Sequence, residues 1–482
     1  MSTLDCVTAF TPQDPVLHLL RRATFGPTPA SEAELRKLGA TAWLDRQLAP
    51  ATIDDAGCTK LLARYPLSSL DIAGVRARVK AGAMKSGGWD AMQQLGSAAV
   101  ARAAWSNRQL LEVMVDLWSN HLNVTCPSSD VWDSRGAYDT LIRQHALGTF
   151  AGLLKASATS PAMLSYLDNR SSTKAKPNEN YARELMELHT VGLIYTEADV
   201  KDAARLLTGL TVDKTTGLYK FDATQHATGA VTILGWRHDN ATAGGGEAAA
   251  LAFVEMLAQH PATAERVARK LCVRFVADDP PAALVQRLRE VYLQQKSAIA
   301  PVLRALFTSP EFAASVGAKV RTPFEDLIGT VRLLGLQPEA SGTEGVRALY
   351  NYLVAAGHAP MRWAPPNGYP DVAAAWTAPS GLLIRWNAHL NLAAGWYPKQ
   401  LVRPASILAS LVPKLPATHG AFVDALATRL VGQPLQAAHT AVLLGFLNKS
   451  ASSPLKATDP AVAGRLPHLI ALILDSPYYL AR

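Results

Sequence analysis

Apolar residues recur three and four positions apart through most of this chain, a period that commits it to amphipathic α-helices. The pattern runs over 16–22, 31–48, 97–121, 137–155, 198–207 and 247–259, and again over 262–275, 281–295, 299–307 and 323–334. Punctuation fits these segments. Pro27 and Pro29 close the first helix, Ser31 can cap the next, and Pro280–Pro281 opens another where a missing N–H is tolerated. Strand-like sequence is confined to 217–234, where Leu218-Tyr-Lys-Phe221 and Val231-Thr-Ile-Leu234 flank a small polar stretch, as in a hairpin. Glycines 244–246 form a connector, and 361–379, rich in Pro, Trp and Gly, reads as a loop. The expected fold is therefore mainly α. It divides into an N-terminal helical region 1–210, a hairpin and connector 211–246 and a C-terminal helical region 247–482, or forms one continuous core.

Composition narrows the class. With 49% hydrophobic and 18% charged residues among 482, the chain is globular rather than disordered. Its net charge is +8 but its basic residues are scattered, often beside acids, as in Arg287-Leu288-Arg289-Glu290. No nucleic-acid partner is expected from such dispersed charge. Cys6, Cys58, Cys126 and Cys272 show no paired spacing, so a zinc ribbon or redox pair lacks its signature. The opening residues carry neither a basic n-region nor an apolar h-region, and apolar runs such as 466–474 are too short to span a bilayer. A cytoplasmic protein is expected, with export alongside a signal-bearing partner as the alternative. Dinucleotide-binding, P-loop, nucleophile-elbow and HExxH motifs are all absent.

The segment with the densest polar chemistry is Asn178-Glu-Asn-Tyr-Ala-Arg-Glu-Leu-Met-Glu-Leu-His189, opened by Pro177 and followed by Gly192. On a helix, Asn180, Arg183, Glu184 and Glu187 share one face. Two carboxylates one turn apart can hold a divalent cation or share a proton. Glu179, Arg183 and Glu187 also have the four-residue spacing of ordinary surface ion pairs. His189 lies roughly 140° or more from both carboxylates on a continuous helix. His121 falls on the apolar stripe with Met114, Leu117 and Trp118, either as a packed core residue or as a general base entering a cleft. Glu112, Asp116 and Asn120 align on another face, a spacing usually solvated. Arg237-His238-Asp239 follows the expected hairpin. The 361–379 loop contributes Arg362, Trp363, Tyr369, Asp371 and Trp376, which can stack on sugars or simply anchor the loop.

Taken together these segments resemble the bacterial family called domain of unknown function 1800. The similarity lies in His18-Leu-Leu-Arg-Arg-Ala-Thr-Phe-Gly26, Leu117-Trp-Ser-Asn-His121, the 178–189 motif, and Lys270-Leu271 with Arg274-Phe275-Val276, and extends over nearly the whole chain. Where such proteins usually carry a lysine after the His-Asp pair, this chain has Asn240. The resemblance implies a helical fold and raises the standing of the 178–189 face, but it supplies no activity.

Two functions are expected. In the first, an enzyme uses Glu184 and Glu187 as acid/base or metal-binding groups, with a divalent ion as the cofactor in one variant. Arg183 orients the substrate and His121 carries a proton. Asn180, Arg237, His238, Asp239, Arg362, Trp363 and Trp376 would bind a small molecule or glycan. In the second, a non-catalytic binding or assembly protein uses the same Glu, Arg and His contacts as a structural network.

Overall fold

The computed structural model describes residues 10–482, so Cys6 and the 1–9 segment lie outside the described residues. Helices dominate, as the periodicity predicts. Nine of them position the buried ions, a cavity and the 178–189 motif. They are α1 (Pro15–Ala23), α2 (Gly88–Trp105), α3 (Gln109–His121), α4 (Glu179–Glu184), α5 (Glu197–Leu206), α6 (Pro261–Phe275), α7 (Pro323–Leu333), α8 (Pro379–Ala394) and α9 (Leu466–Leu474).

Three expectations change in detail. The 31–48 segment is two helices, Pro29–Leu38 and Ala40–Leu48, separated by Gly39 at φ +78°. Thr28, not Ser31, is the N-cap, and Ser31 completes the reciprocal capping box three residues in. The 97–121 segment breaks between α2 and α3. There Ser106 turns extended, and the Asp55 carboxylate accepts from the Ser106 hydroxyl (2.8 Å) and the Asn107 amide (2.7 Å). A side-chain carboxylate thus satisfies a donor that helix continuation would otherwise have paired.

The single hairpin over 217–234 is overturned. Its two apolar runs do not pair with each other. β1 (Leu210–Val212) pairs antiparallel with β2 (Tyr219–Phe221), and β3 (Val231–Ile233) pairs with β4 (Trp236–His238). Leu234 and Gly235 both have positive φ (50° and 79°), the geometry of a two-residue turn that closes β3 directly onto β4. The intervening residues are held elsewhere. His226 is buried between the Thr208 carbonyl and the Asn240 side chain, both at 2.8 Å. The 361–379 stretch is a loop except for one helical turn, Ala373–Trp376, whose first amide donates to Asp278 (2.6 Å).

Buried apolar residues from Leu19 to Tyr479 form one extensive cluster, with a small satellite around Val75, Met84 and Ala91. Buried ions stitch this core. Arg143 holds Glu112 through two 2.9 Å hydrogen bonds and Asp139 at 2.8 Å, so Glu112 is not the solvated residue its spacing suggested.

His389 of α8 stands between Asp326 of α7 (2.6 Å) and Asp475 at the end of α9 (2.8 Å). Burial disfavours the imidazolium, but the two carboxylates outweigh it and lift His389 to about 9. Its unfolded value is about 6.5. The bridge therefore contributes fully below that pH, and its stabilisation is lost as pH rises through about 9. Urea denaturation should show stability declining between pH 7 and pH 10. His389→Gln should flatten that decline by at least about 1 kcal/mol, and an unchanged slope would mean the imidazole is neutral.

Candidate active site

A cavity of about 480 Å³ opens where α3, α6 and the 361–379 loop meet. That size suits a small organic ligand. Helix α3 contributes Asp116 and Asn120. Helix α6 contributes Arg266, Arg269, Lys270 and Arg274, and the loop contributes Trp363, Tyr369 and Asp371. Thr322, the N-cap of α7, and His358 complete the wall.

The loop reaches this position because α3 and the residues after it hold its backbone. The Asn123 amide donates to the Trp363 carbonyl (2.9 Å) and the Pro365 carbonyl (2.7 Å). The Asn120 side-chain oxygen accepts from the Tyr369 amide (3.3 Å). Gly368 lies against the Asn120 backbone with φ +69°, so close that any β-carbon there would fall 2.0 Å from the Asn120 oxygen. Within the loop, Trp363 donates to Asn367 (2.8 Å) and packs on Tyr369 with ring centres 5.0 Å apart. Trp376 backs the wall, stacking on His358 at 4.6 Å and donating to the Pro370 carbonyl (2.9 Å).

One guanidinium organises the carboxylates. Arg274, buried, sits 2.8 Å from Glu325, 3.7 Å from Asp371 and 3.8 Å from Asp116. Glu325 also receives Arg482 at 2.7 Å, and Asp371 also receives Lys319 at 3.1 Å. The two carboxylates facing the cavity consequently diverge. Burial, against the pull of Arg274, pushes Asp116 up to about 6. Burial works on Asp371 in the same sense, yet Lys319 and Arg274 hold it at about 2. Asp116 can thus carry a proton near neutral pH beside a carboxylate that stays ionised. His358 is pushed down to about 3 by burial and is neutral.

The 178–189 motif abuts this cavity without lining it. Asn178 caps α4 by accepting from the Asn180 amide (2.8 Å). Over Leu185–His189 the helix widens into a π-turn, a feature often found at functional sites. The His189 carbonyl instead meets Nε2 of His121 (2.9 Å). A carbonyl only accepts, so His121 donates from Nε2. This contact ties the motif to the last turn of α3, the helix that carries Asp116 and Asn120. Glu187, half-buried, accepts from the Tyr195 hydroxyl, and Arg183 grips Glu197 of α5 through two hydrogen bonds of 2.7 and 2.8 Å. Glu184 is half-buried, its carboxyl raised by burial and by Glu187. Among the described residues no group of three His, Cys, Asp or Glu side chains is arranged to hold a metal ion, so a divalent ion on Glu184 and Glu187 would find no third ligand of these types.

A family described as "Protein of unknown function (DUF1800)" matches residues 18–481. The chain belongs to the DUF1800 family. Comparisons with curated proteins and with solved structures returned no match.

In this DUF1800 protein the expected site residues fall into three places. Trp363 lines the cavity and Trp376 supports it, whereas Arg362 on the same loop is exposed. Glu184, Glu187, Arg183 and His121 form the neighbouring layer, and Asn180 is exposed at its start. Arg237, His238 and Asp239 lie on and just after β4, away from the cavity lining; His238 stacks on Trp236 at 5.4 Å. Asn240, at the departure from the family pattern, is buried against His226 and the Ala227 carbonyl (2.7 Å), a packing role. Sequence reasoning missed Asp116, Asn120, Lys270 and His358. The signal was present for three of them. Asp116 immediately precedes the Leu-Trp-Ser-Asn-His motif, Asn120 is the asparagine of that motif, and Lys270 lies in a segment shared with the family, but a four-residue spacing looks the same on a wet face as on a cavity wall.

Proposed function

We propose that this protein is an enzyme that cleaves a bond in a polar, ring-bearing substrate such as a glycan, with Asp116 as the proton donor and Asp371 as its ionised partner. The observation that carries this reading is a pair of carboxylates in one cavity that share Arg274, Asp116 at 3.8 Å and Asp371 at 3.7 Å, of which Asp371 alone also has Lys319, at 3.1 Å, so that their proton affinities are driven apart. An acid near 6 protonates a leaving oxygen while the ionised carboxylate stabilises positive charge or directs water. Trp363 and Tyr369 offer flat faces on which a sugar ring can stack. His121, Glu187 and Arg183 then act as positioning residues that hold α3 in place.

The test is turnover of a panel of polysaccharides and chromogenic glycosides. Asp116→Asn should lower the rate by about 10²–10⁴, and the wild-type rate should fall as pH rises through about 6, where Asp116 loses its proton. A Glu184→Gln/Glu187→Gln double variant should keep most of the activity. If the double variant is dead and Asp116→Asn is active, the chemistry belongs to the 178–189 motif instead. A specific observation favours a non-catalytic reading of that motif: Arg183, Glu187 and His121 each already have a protein partner.

A further inference from the structure

Helix α6 presents Arg266, Arg269 and Lys270 to the cavity from consecutive turns. Unlike Arg274, which is neutralised, none of the three forms an ion pair or a side-chain hydrogen bond among the described residues. Glu187 favours the charge of Arg266 only through space, against burial, which lowers its pKa. Lys270 is half-buried, and burial pushes its ammonium down to about 8, with Arg266 adding to the push and Asp371 opposing it. Arg269 is exposed, but Arg266 and Lys270 are partly buried, and charged side chains drawn from water ordinarily find an anion. Here the carboxylates in reach, Asp116 and Asp371, are already committed to Arg274 and, for Asp371, to Lys319. The cavity therefore contains more positive charge than its own acids neutralise.

We infer that the substrate carries an oxyanion, a carboxylate, phosphate or sulfate on a ring, and that Arg266, Arg269 and Lys270 hold it while Trp363 and Tyr369 receive the ring. Arginine supplies a planar fork that matches two oxygens of such a group, and the lysine adds a point charge beside it. This deepens the enzyme reading by naming the charge class of its substrate, and it takes the same cavity as the substrate site.

Isothermal titration with galacturonate, inorganic phosphate, inorganic sulfate and, as the neutral counterpart, galactose tests the inference directly. The wild-type protein should bind at least one oxyanion, and galacturonate at least about tenfold more tightly than galactose. Arg266→Ala/Lys270→Met should lose that preference, whereas Lys270→Arg should keep it. Lys201→Ala, an exposed change on α5, should have no effect. Raising the salt concentration should weaken oxyanion binding in the wild type. Galacturonate preferred over galactose points to the carboxylate, and tighter phosphate or sulfate points to those esters. No oxyanion binding, equal binding of galacturonate and galactose, or undiminished binding by the double variant would overturn the inference. Asp116→Asn separates the two claims, since it should still bind the oxyanion while its turnover falls by about 10²–10⁴. Oxyanion binding beside an Asp116→Asn variant that still turns over substrate would sink the acid–base reading alone.

Discussion

Glu325→Gln is expected to cost about 3–5 kcal/mol of folding stability, the range for breaking a buried ion pair by removing one partner. Glu325 is 3% exposed and takes Arg274 at 2.8 Å and Arg482 at 2.7 Å; both guanidinium groups are themselves almost wholly buried. It also accepts from the Thr322 amide (3.0 Å), closing the capping box of α7. Glutamine can preserve that cap but not the charge, so two buried cations would share only Asp116 and Asp371. Urea denaturation near pH 7 measures the loss, and Glu325→Asp, which keeps the charge on a shorter arm, should lose less than the glutamine variant. The pH dependence has a definite sign. Burial raises the Glu325 carboxyl, but Arg274 and Arg482 outweigh it and hold its pKa below the ordinary value. Its contribution is thus present above the unfolded value of about 4.3 and lost as pH falls through the folded one. The wild type should weaken on acidification below about pH 4 more steeply than the glutamine variant. A glutamine variant as stable as the wild type at neutral pH would mean that the network is energetically neutral.

Gly368→Ala should produce the second large effect, on the cavity rather than on the whole fold. The backbone there has φ +69°, which costs an L-residue roughly 1–2 kcal/mol. The added methyl would also meet the Asn120 carbonyl oxygen at 2.0 Å and its carbon at 2.7 Å. These are backbone atoms of a helix whose last turn is tied to His189, so they cannot move aside as a flexible side-chain end could. Overpacking of this kind adds about 1–3 kcal/mol. The cheapest escape is for the loop to lift from α3, breaking the Tyr369 and Asn123 contacts and removing Trp363 and Tyr369 from the cavity. Tryptophan fluorescence should report a more solvated Trp363, and any turnover or oxyanion binding should fall together. Hydrogen exchange should rise in 363–371 while the core of α3 stays protected. Unaltered fluorescence and binding would show that the loop tolerates a side chain here.

How much of this was legible beforehand can be judged residue by residue. Helical periodicity located α3, α6 and α7, because apolar spacing is a local property and burial of an apolar stripe follows from it. Pro, Trp and Gly marked the 361–379 loop, which places Trp363 in the cavity lining. The hairpin went wrong where partner choice is non-local. Two strand-like runs look equally able to pair, and the turn at Leu234-Gly235 and the anchoring of His226 decided otherwise.

By itself the sequence determined the helical class, the family and the polar motif at 178–189. Only the tertiary structure decided which polar stripe faces a cavity. Glu112, Asp116 and Asn120 share one spacing, yet Glu112 is neutralised by Arg143, Asp116 faces the cavity and Asn120 receives the loop. The reason is that helical period sets the direction of a side chain, whereas its solvation depends on what packs over it. Here the covering comes from a loop some 240 residues further along the chain, held down by hydrogen bonds such as that from Asn123 to the Trp363 carbonyl.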